Sequence, residues 1–171
     1  MPRTGPTFFS FPADVLAHSA EVAAVVADLM AEPASVSPKY LYGPLGSRLF
    51  DAITELPEYY PTRTERALLE ACRDGIAHAA GPAPTLIDLG AGNCEKARSL
   101  FQALNPGQYV ALDISVDFLR QTLIQLQREF PQLEMLGIGA DFSSGLRLPD
   151  AVRHDNRLFF YPGSSIGNFT P

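Results

Sequence analysis

The 171-residue chain is 46% hydrophobic, enough to build the core of one ordinary domain. A formal net charge of −6, a pI near 5.0 and the lack of any basic run exclude an electrostatic nucleic-acid surface. Cys72 and Cys94 lack CxxC spacing, no apolar run reaches membrane-spanning length, and MPRTGPTFFSFP has no long apolar stretch of a signal peptide; a soluble, cytoplasmic protein in a reducing compartment, without disulfide, metal site or membrane contact, is expected.

Residues 1–12, rich in Pro and Phe, predict an irregular segment whose Phe8, Phe9 and Phe11 pack on something. Asp14 to Glu32 reads as a helix: Val22, Val25, Val26, Leu29 and Met30 recur at helical spacing, and Pro33 follows. That stripe is expected to be packing surface. Ser35 to Gly46 reads as a loop holding Pro38, Tyr40, Tyr42 and Pro44. Ser47 to Leu56 predicts a short helix with Leu49, Phe50, Ile53 and Leu56 inward, ended by Pro57. Tyr59 and Tyr60 lie between Pro57 and Pro61 on a stiff, extended segment, where core packing and ligand contact are both open. Thr62 and Glu65 have capping-box spacing, so a helix is expected from Arg63 to about Ala79, with Ala67, Leu68, Cys72 and Ile76 inward and His78 on the surface. Gly81-Pro82-Ala83-Pro84 is a break, which divides a helical lead-in, residues 1–80, from a second unit, residues 81–171.

Beyond the break the pattern alternates. Strand 85–89 ends in Gly90-Ala91-Gly92, and helix 94–104 follows with Ala97, Leu100, Phe101 and Leu104 inward. Strand 109–113 leads to helix 116–129, with Ser115 as a plausible N-cap. Strand 133–139 and strand 157–161 complete the series. Strands alternating with helices imply an α/β fold: a doubly wound, Rossmann-like parallel sheet of about four strands beside the helical lead-in.

The chemistry is expected where the strands end. Gly90 permits a sharp turn, and Gly92 lets a ligand approach the backbone. A dinucleotide fingerprint would place a third glycine where this chain has Glu95, whose carboxylate would repel a pyrophosphate. The turn therefore suits a nucleotide-like ligand without phosphates, such as S-adenosylmethionine, whose cationic end Asp88 can meet. Asp113, 23 positions after Gly90, is placed for a ribose diol. Asp141 can accept from an adenine amino group while Phe142 packs on the base. Each Asp alone is equally a cap or turn residue, and the glycine turn alone is equally a ligand-free strand-to-helix connection. What points to a nucleoside is the recurrence of a carboxylate at three successive strand ends.

With those residues in place, the chain resembles the histidine Nα-methyltransferase family of ergothioneine biosynthesis, within the class I methyltransferases. The resemblance runs from about Ser37 to the end and is carried by PKYLYGPLGSRLFDAITELPEYYPTRTE, LIDLGAGNCEKARSL, ALDIS, GADF and GSSIGNF. It implies an S-adenosylmethionine-dependent enzyme that methylates the α-amino group of histidine. By the same resemblance Gly90, Lys96, Asp113, Asp141 and Phe142 contact the cofactor, as does Asp88, which keeps the charge of the Glu that relatives often have there; Gly92 joins them from the reading of the glycine turn. Tyr42, Tyr59, Gly163 and Asn168 contact the amino acid, with Tyr42 also catalytic. Many relatives read Lys-Trp-Phe-Tyr where this chain has Lys39-Tyr40-Leu41-Tyr42, which keeps Tyr42. Family members are nearly twice as long, so a fragment is expected, with an open sheet edge that invites self-association. A methyltransferase for another amine, or a nucleoside-binding module without turnover, are the alternatives.

Overall fold

A computed structural model of the chain describes residues 5–10, 15–142 and 145–163. Five strands form one parallel sheet in the order β1-β4-β3-β2-β5: β1 is Thr7–Ser10, β2 Thr85–Leu89, β3 Gln108–Asp113, β4 Glu134–Gly139 and β5 Arg157–Phe160. The helices are α1 (Val15–Met30), α2 (Pro44–Thr54), α3 (Tyr60–Ala80), α4 (Glu95–Leu104) and α5 (Val116–Glu129), with a 3-10 turn at Pro38–Leu41. No helix among the described residues is long and apolar enough to cross a membrane.

The sheet is held by near-continuous apolar strands, as parallel strands buried on both faces require. Leu86, Tyr109, Ala111 and Met135 turn to one face, where they meet Ala97, Leu100, Phe101 and Leu104 of α4 and Leu119, Leu123 and Leu126 of α5. Ile87, Val110, Leu112, Leu136 and Ile138 turn to the other, against Val152 and the partly buried Leu148. Both α4 and α5 present the residues that helical periodicity selects. Strand order reverses at β2: β3 and β4 lie to one side of it and β5 to the other. That reversal opens a crevice beyond the carboxyl ends of β2 and β5, where sheets of this class bind ligands.

The amino-terminal part departs from expectation in four ways. The segment expected to be irregular supplies a fifth strand. β1 pairs in parallel with β4, and Phe8 lies so close over Gly137 that a Cβ there would fall 2.6 Å from its ring. Gly137 thus makes room for Phe8, a fit between residues far apart in sequence. α3 starts at Tyr60, not Arg63, so Thr62 is already inside the helix and forms no capping box. Its inward face is Leu69, Ile76, Ala77 and Ala80; Leu68 and Cys72 are exposed. α1 and α2 form, but Val22, Val26, Leu29 and Met30 of α1 and Leu49 and Ile53 of α2, with Leu56 beyond its end, are exposed rather than packed, and Phe50 lines the cleft instead of entering the core.

Candidate functional site

The carboxyl ends of β2, β3 and β4 open into one cleft of about 1420 Å³, roofed by the lead-in helices. Its floor is the turn after β2. Gly90 and Gly92 have φ of +73° and +52°, a left-handed backbone that side chains rarely adopt. The Gly90 and Ala91 amides both donate to Leu112 O at 2.9 Å, which pins the turn to the end of β3. Among the described residues nothing lies within 4 Å of where a Gly92 Cβ would stand, and the Gly90 position is 4.0 Å from the Phe142 ring. Conformation, not crowding by the chain, therefore requires the two glycines, and the space over them belongs to the cleft.

Asp88, near the end of β2, is 1% exposed. Its Oδ2 accepts a 2.8 Å hydrogen bond from the Tyr109 hydroxyl, while Oδ1 is buried and has no hydrogen-bond partner among the described residues. Burial raises the Asp88 pKa to about 7, partly opposed by the Tyr109 hydrogen bond; the Asp113 charge raises it further and Lys96 lowers it. A buried carboxylate that lacks a full set of donors is a place for a cationic or hydrogen-donating ligand. Cys94 next door, at the start of α4 with φ +60°, is buried, and burial pushes its thiol up, so it is not a nucleophile at neutral pH.

Asp113 accepts from the Gly92 amide through Oδ2 at 2.9 Å and from the Ser115 amide through Oδ1 at 2.8 Å. It holds the glycine turn as well as standing at its rim. Each of its oxygens keeps a second lone pair for a further donor. Asp141, beyond β4, pairs with Lys39 at 2.9 Å, and Phe142 packs edge-on against Tyr161 with ring centroids 5.7 Å apart.

On the lead-in side, Phe50 sits between Tyr42 and Tyr59, with ring centroids at 6.1 Å and 6.0 Å in edge-to-face contact. The three rings make one aromatic wall. Across the cleft mouth, Glu65 of α3 pairs with Lys96 of α4 at 2.6 Å and also accepts from the Gly163 amide beyond β5. Gly163 has φ +88°, and a Cβ there would fall 2.8 Å from Lys96 Nζ.

Tyr42, Tyr59, Asp88, Gly90, Gly92, Lys96, Asp113, Asp141, Phe142 and Gly163 thus all line the same cleft. Asn168 lies outside the described residues. Sequence analysis took Glu65 and Ser115 for helix caps and gave Lys39 no role, and so missed three further groups at the cleft. Glu65 belongs to no capping box and instead clamps Lys96 to Gly163. Ser115 stands at the N-cap of α5 without a side-chain cap bond; its hydroxyl donates to Tyr42 O and shares a 2.8 Å hydrogen bond with Ser47. Lys39 reaches Asp141 across 102 positions of sequence. Pairings of such separation leave no local pattern to find.

Residues 21–171 match the family model described as histidine-specific methyltransferase, SAM-dependent. The chain belongs to this family. It is 40% identical over 151 residues to a histidine N-alpha-methyltransferase of Mycobacterium tuberculosis (strain CDC 1551 / Oshkosh), covering 86% of this chain and 46% of that protein. It is 41% identical over 152 residues to a histidine N-alpha-methyltransferase of Mycolicibacterium smegmatis (strain ATCC 700084 / mc(2)155), with the same coverage. A 4-dimethylallyltryptophan N-methyltransferase of Claviceps purpurea (strain 20.1) is 29% identical over 155 residues, covering 85% of this chain and 45% of that protein. The chain spans about half the length of the curated relatives it matches. As a family, the histidine-specific methyltransferases are S-adenosylmethionine-dependent.

Proposed function

We propose that this chain carries the cofactor site and one wall of the substrate pocket of an S-adenosylmethionine-dependent N-methyltransferase acting on the α-amino group of histidine. The observation that carries this is the convergence of Asp88, Asp113 and Asp141, from three successive strand ends, on one cleft faced by Tyr42 and Tyr59. The residues present suit the cofactor. Open space lies over Gly92, a buried carboxylate oxygen of Asp88 lacks a donor, and no phosphate has to share the site with Glu95.

The cofactor supplies an electrophilic methyl group on a sulfonium. The chain's own residues place the partners. Asp113 takes the ribose diol, Asp141 and Phe142 take the base, and Asp88 and Lys96 meet the charged amino-acid end. Asp88, raised to about 7 by burial, becomes ionised beside a bound cation and so releases a proton on binding near neutral pH. The attacking amine must be neutral. Tyr42 and Tyr59 orient the amino acid, and Gly163 and Asn168 bind near its amine and carboxylate. The acceleration then comes mainly from holding amine and methyl in near-attack geometry. The amine proton leaves to water, with a cleft tyrosine such as Tyr42 as the relay.

Titration calorimetry with S-adenosylhomocysteine tests the cofactor half. Saturable binding is expected, and Asp113→Ala is expected to abolish it. Because Asp113 also holds the Gly92 turn, the variant's thermal transition is recorded alongside. No binding by the folded wild type overturns the proposal. Methyl transfer to a panel of amino acids tests the substrate, with histidine expected first and Tyr42→Phe slower by at least about tenfold, the scale of one charge-assisted hydrogen bond. The Claviceps relative favours a second reading, in which the same site serves another α-amino acid. Preference for tryptophan-type amines would establish it. Cofactor binding with no transfer to any amine would mark a nucleoside-binding module.

A further inference from the structure

Lys39 joins two carboxylates that sequence keeps far apart. Its ammonium lies 2.9 Å from Asp141 Oδ2, beyond the end of β4, and 2.7 Å from Glu21 Oε1 on α1. The Tyr40 hydroxyl donates to the same Glu21 oxygen at 3.1 Å. The hydrogen bonds to Glu21 and then to Asp141 push the Lys39 pKa well above the ordinary lysine range, and the bonds from Lys39 and then Tyr40 hold Glu21 below the ordinary carboxylate range. Lys39 and Glu21 therefore both carry their charge at neutral pH. Three segments meet in it: α1, the 3-10 turn at Pro38–Leu41, and the loop after β4.

A carboxylate at a strand end has several rotamers, and a ligand that selects one must bear the entropy of fixing it. An ammonium on one oxygen fixes the plane in advance. It also offsets the like charge of Asp88 and Asp113 in the same cleft. An oriented carboxylate discriminates between nucleobases. A 6-aminopurine turns an N–H donor toward it, whereas a 6-oxopurine turns a carbonyl oxygen, and two acceptors repel.

We propose that Lys39 is the positioning residue for nucleobase selectivity: by pairing with Asp141 it sets that carboxylate to accept from a 6-amino group and to reject a 6-oxo group. The bridge to Glu21 extends this dependence to α1, none of whose described side chains lines the cleft. The inference rests on the adenine role proposed above for Asp141.

The test is the affinity ratio of S-adenosylhomocysteine to S-inosylhomocysteine, measured by calorimetry on the wild-type chain, Lys39→Met, Lys39→Gln and Lys39→Arg. The wild type is expected to prefer the adenine ligand by about tenfold or more, the scale of one hydrogen bond to a charged group. Lys39→Met and Lys39→Gln are expected to bring the ratio close to one, chiefly by weakening the adenine ligand, and Lys39→Arg to retain the preference. Gln fills the same space without the charge, so it serves where Met disturbs folding. A merely structural loss weakens both ligands alike, and an unchanged ratio in the folded variants overturns the inference while leaving the cofactor site in place. A wild type that binds neither ligand overturns the cofactor site, and this inference with it.

Discussion

The two parts of the chain are built on different terms. From Thr85 onward, strands and helices close over each other, and Leu86, Ile87, Tyr109, Val110, Leu119 and Leu123 are almost fully buried. The lead-in helices carry comparable apolar stripes yet bury little of them: Met30 is 81% exposed and Leu49 55%. What ties α1, the Pro38–Tyr42 segment and α2 to the sheet is a set of polar links, Lys39 to Asp141, Ser47 and Ser115 to Tyr42 O, and Asn93 to Asp51 at 3.2 Å. Among the described residues, α3 adds a packed apolar face through Leu69, Ile76, Ala77 and Ala80, and β1 adds Phe8 and Phe9. A packed core makes a rigid platform for Asp88 and Asp113, whereas a few hydrogen bonds hold the segment around Tyr42. Weakly packed elements open with less free energy than the core.

The sharpest way to break this contrast is a pair of matched truncations. Leu100→Ala, at a position 1% exposed, is expected to cost about 2–5 kcal/mol in urea denaturation. Leu49→Ala, at 55% exposure, is expected to cost less than about 0.5 kcal/mol. Equal costs would mean that the stripe of α2 is packed in solution.

A second test uses the charge buried in the platform. Asp88 is raised to about 7 in the folded chain, against about 3.9 for an unfolded aspartate. Between those values the folded state binds the additional proton. Stability therefore falls as pH rises from about 4 to about 7, by up to about 1.4 kcal/mol per unit, and levels off above. Asp88→Asn is expected to flatten this slope in denaturation curves taken at pH 5 to 8. An unchanged slope would assign the proton elsewhere.

The smallest effect sharpens the account of the lead-in. Ser115→Ala removes the hydroxyl bonded to Tyr42 O and Ser47, worth about 1 kcal/mol. Faster hydrogen exchange is expected at the amides of residues 38–47, with exchange in β3 unchanged. Acceleration spread evenly over both regions would show that they open as one unit.

Much of the platform is legible in sequence because it is local and periodic. Strand 85–89 and helix 116–129 have the expected bounds, since β-branched and Leu runs closed by glycine, and apolar residues at helical spacing, are properties of short windows. Asp88, Asp113 and Asp141 are legible for the same reason: each lies within two residues of a strand's carboxyl end. The lead-in misleads by phase. In α3 the start at Tyr60 puts Pro61 in the first turn, a local signal passed over for the capping-box spacing, whereas the choice of Leu69 over Leu68 as the packed residue depends on how the helix meets α4.

By itself the sequence determined the parallel α/β architecture, the glycine turn, the carboxylates at its strand ends and, through its motifs, the family. Tertiary structure alone decided that Phe8 enters the sheet over Gly137, that Glu65 holds Lys96 and Gly163, that Lys39 holds Asp141, and that Asp88 is buried with one oxygen unpaired. The physical reason is range. Periodicity and turn chemistry act within a few residues, whereas burial and ion pairing depend on which distant segments the closed sheet brings within about 3 Å of one another.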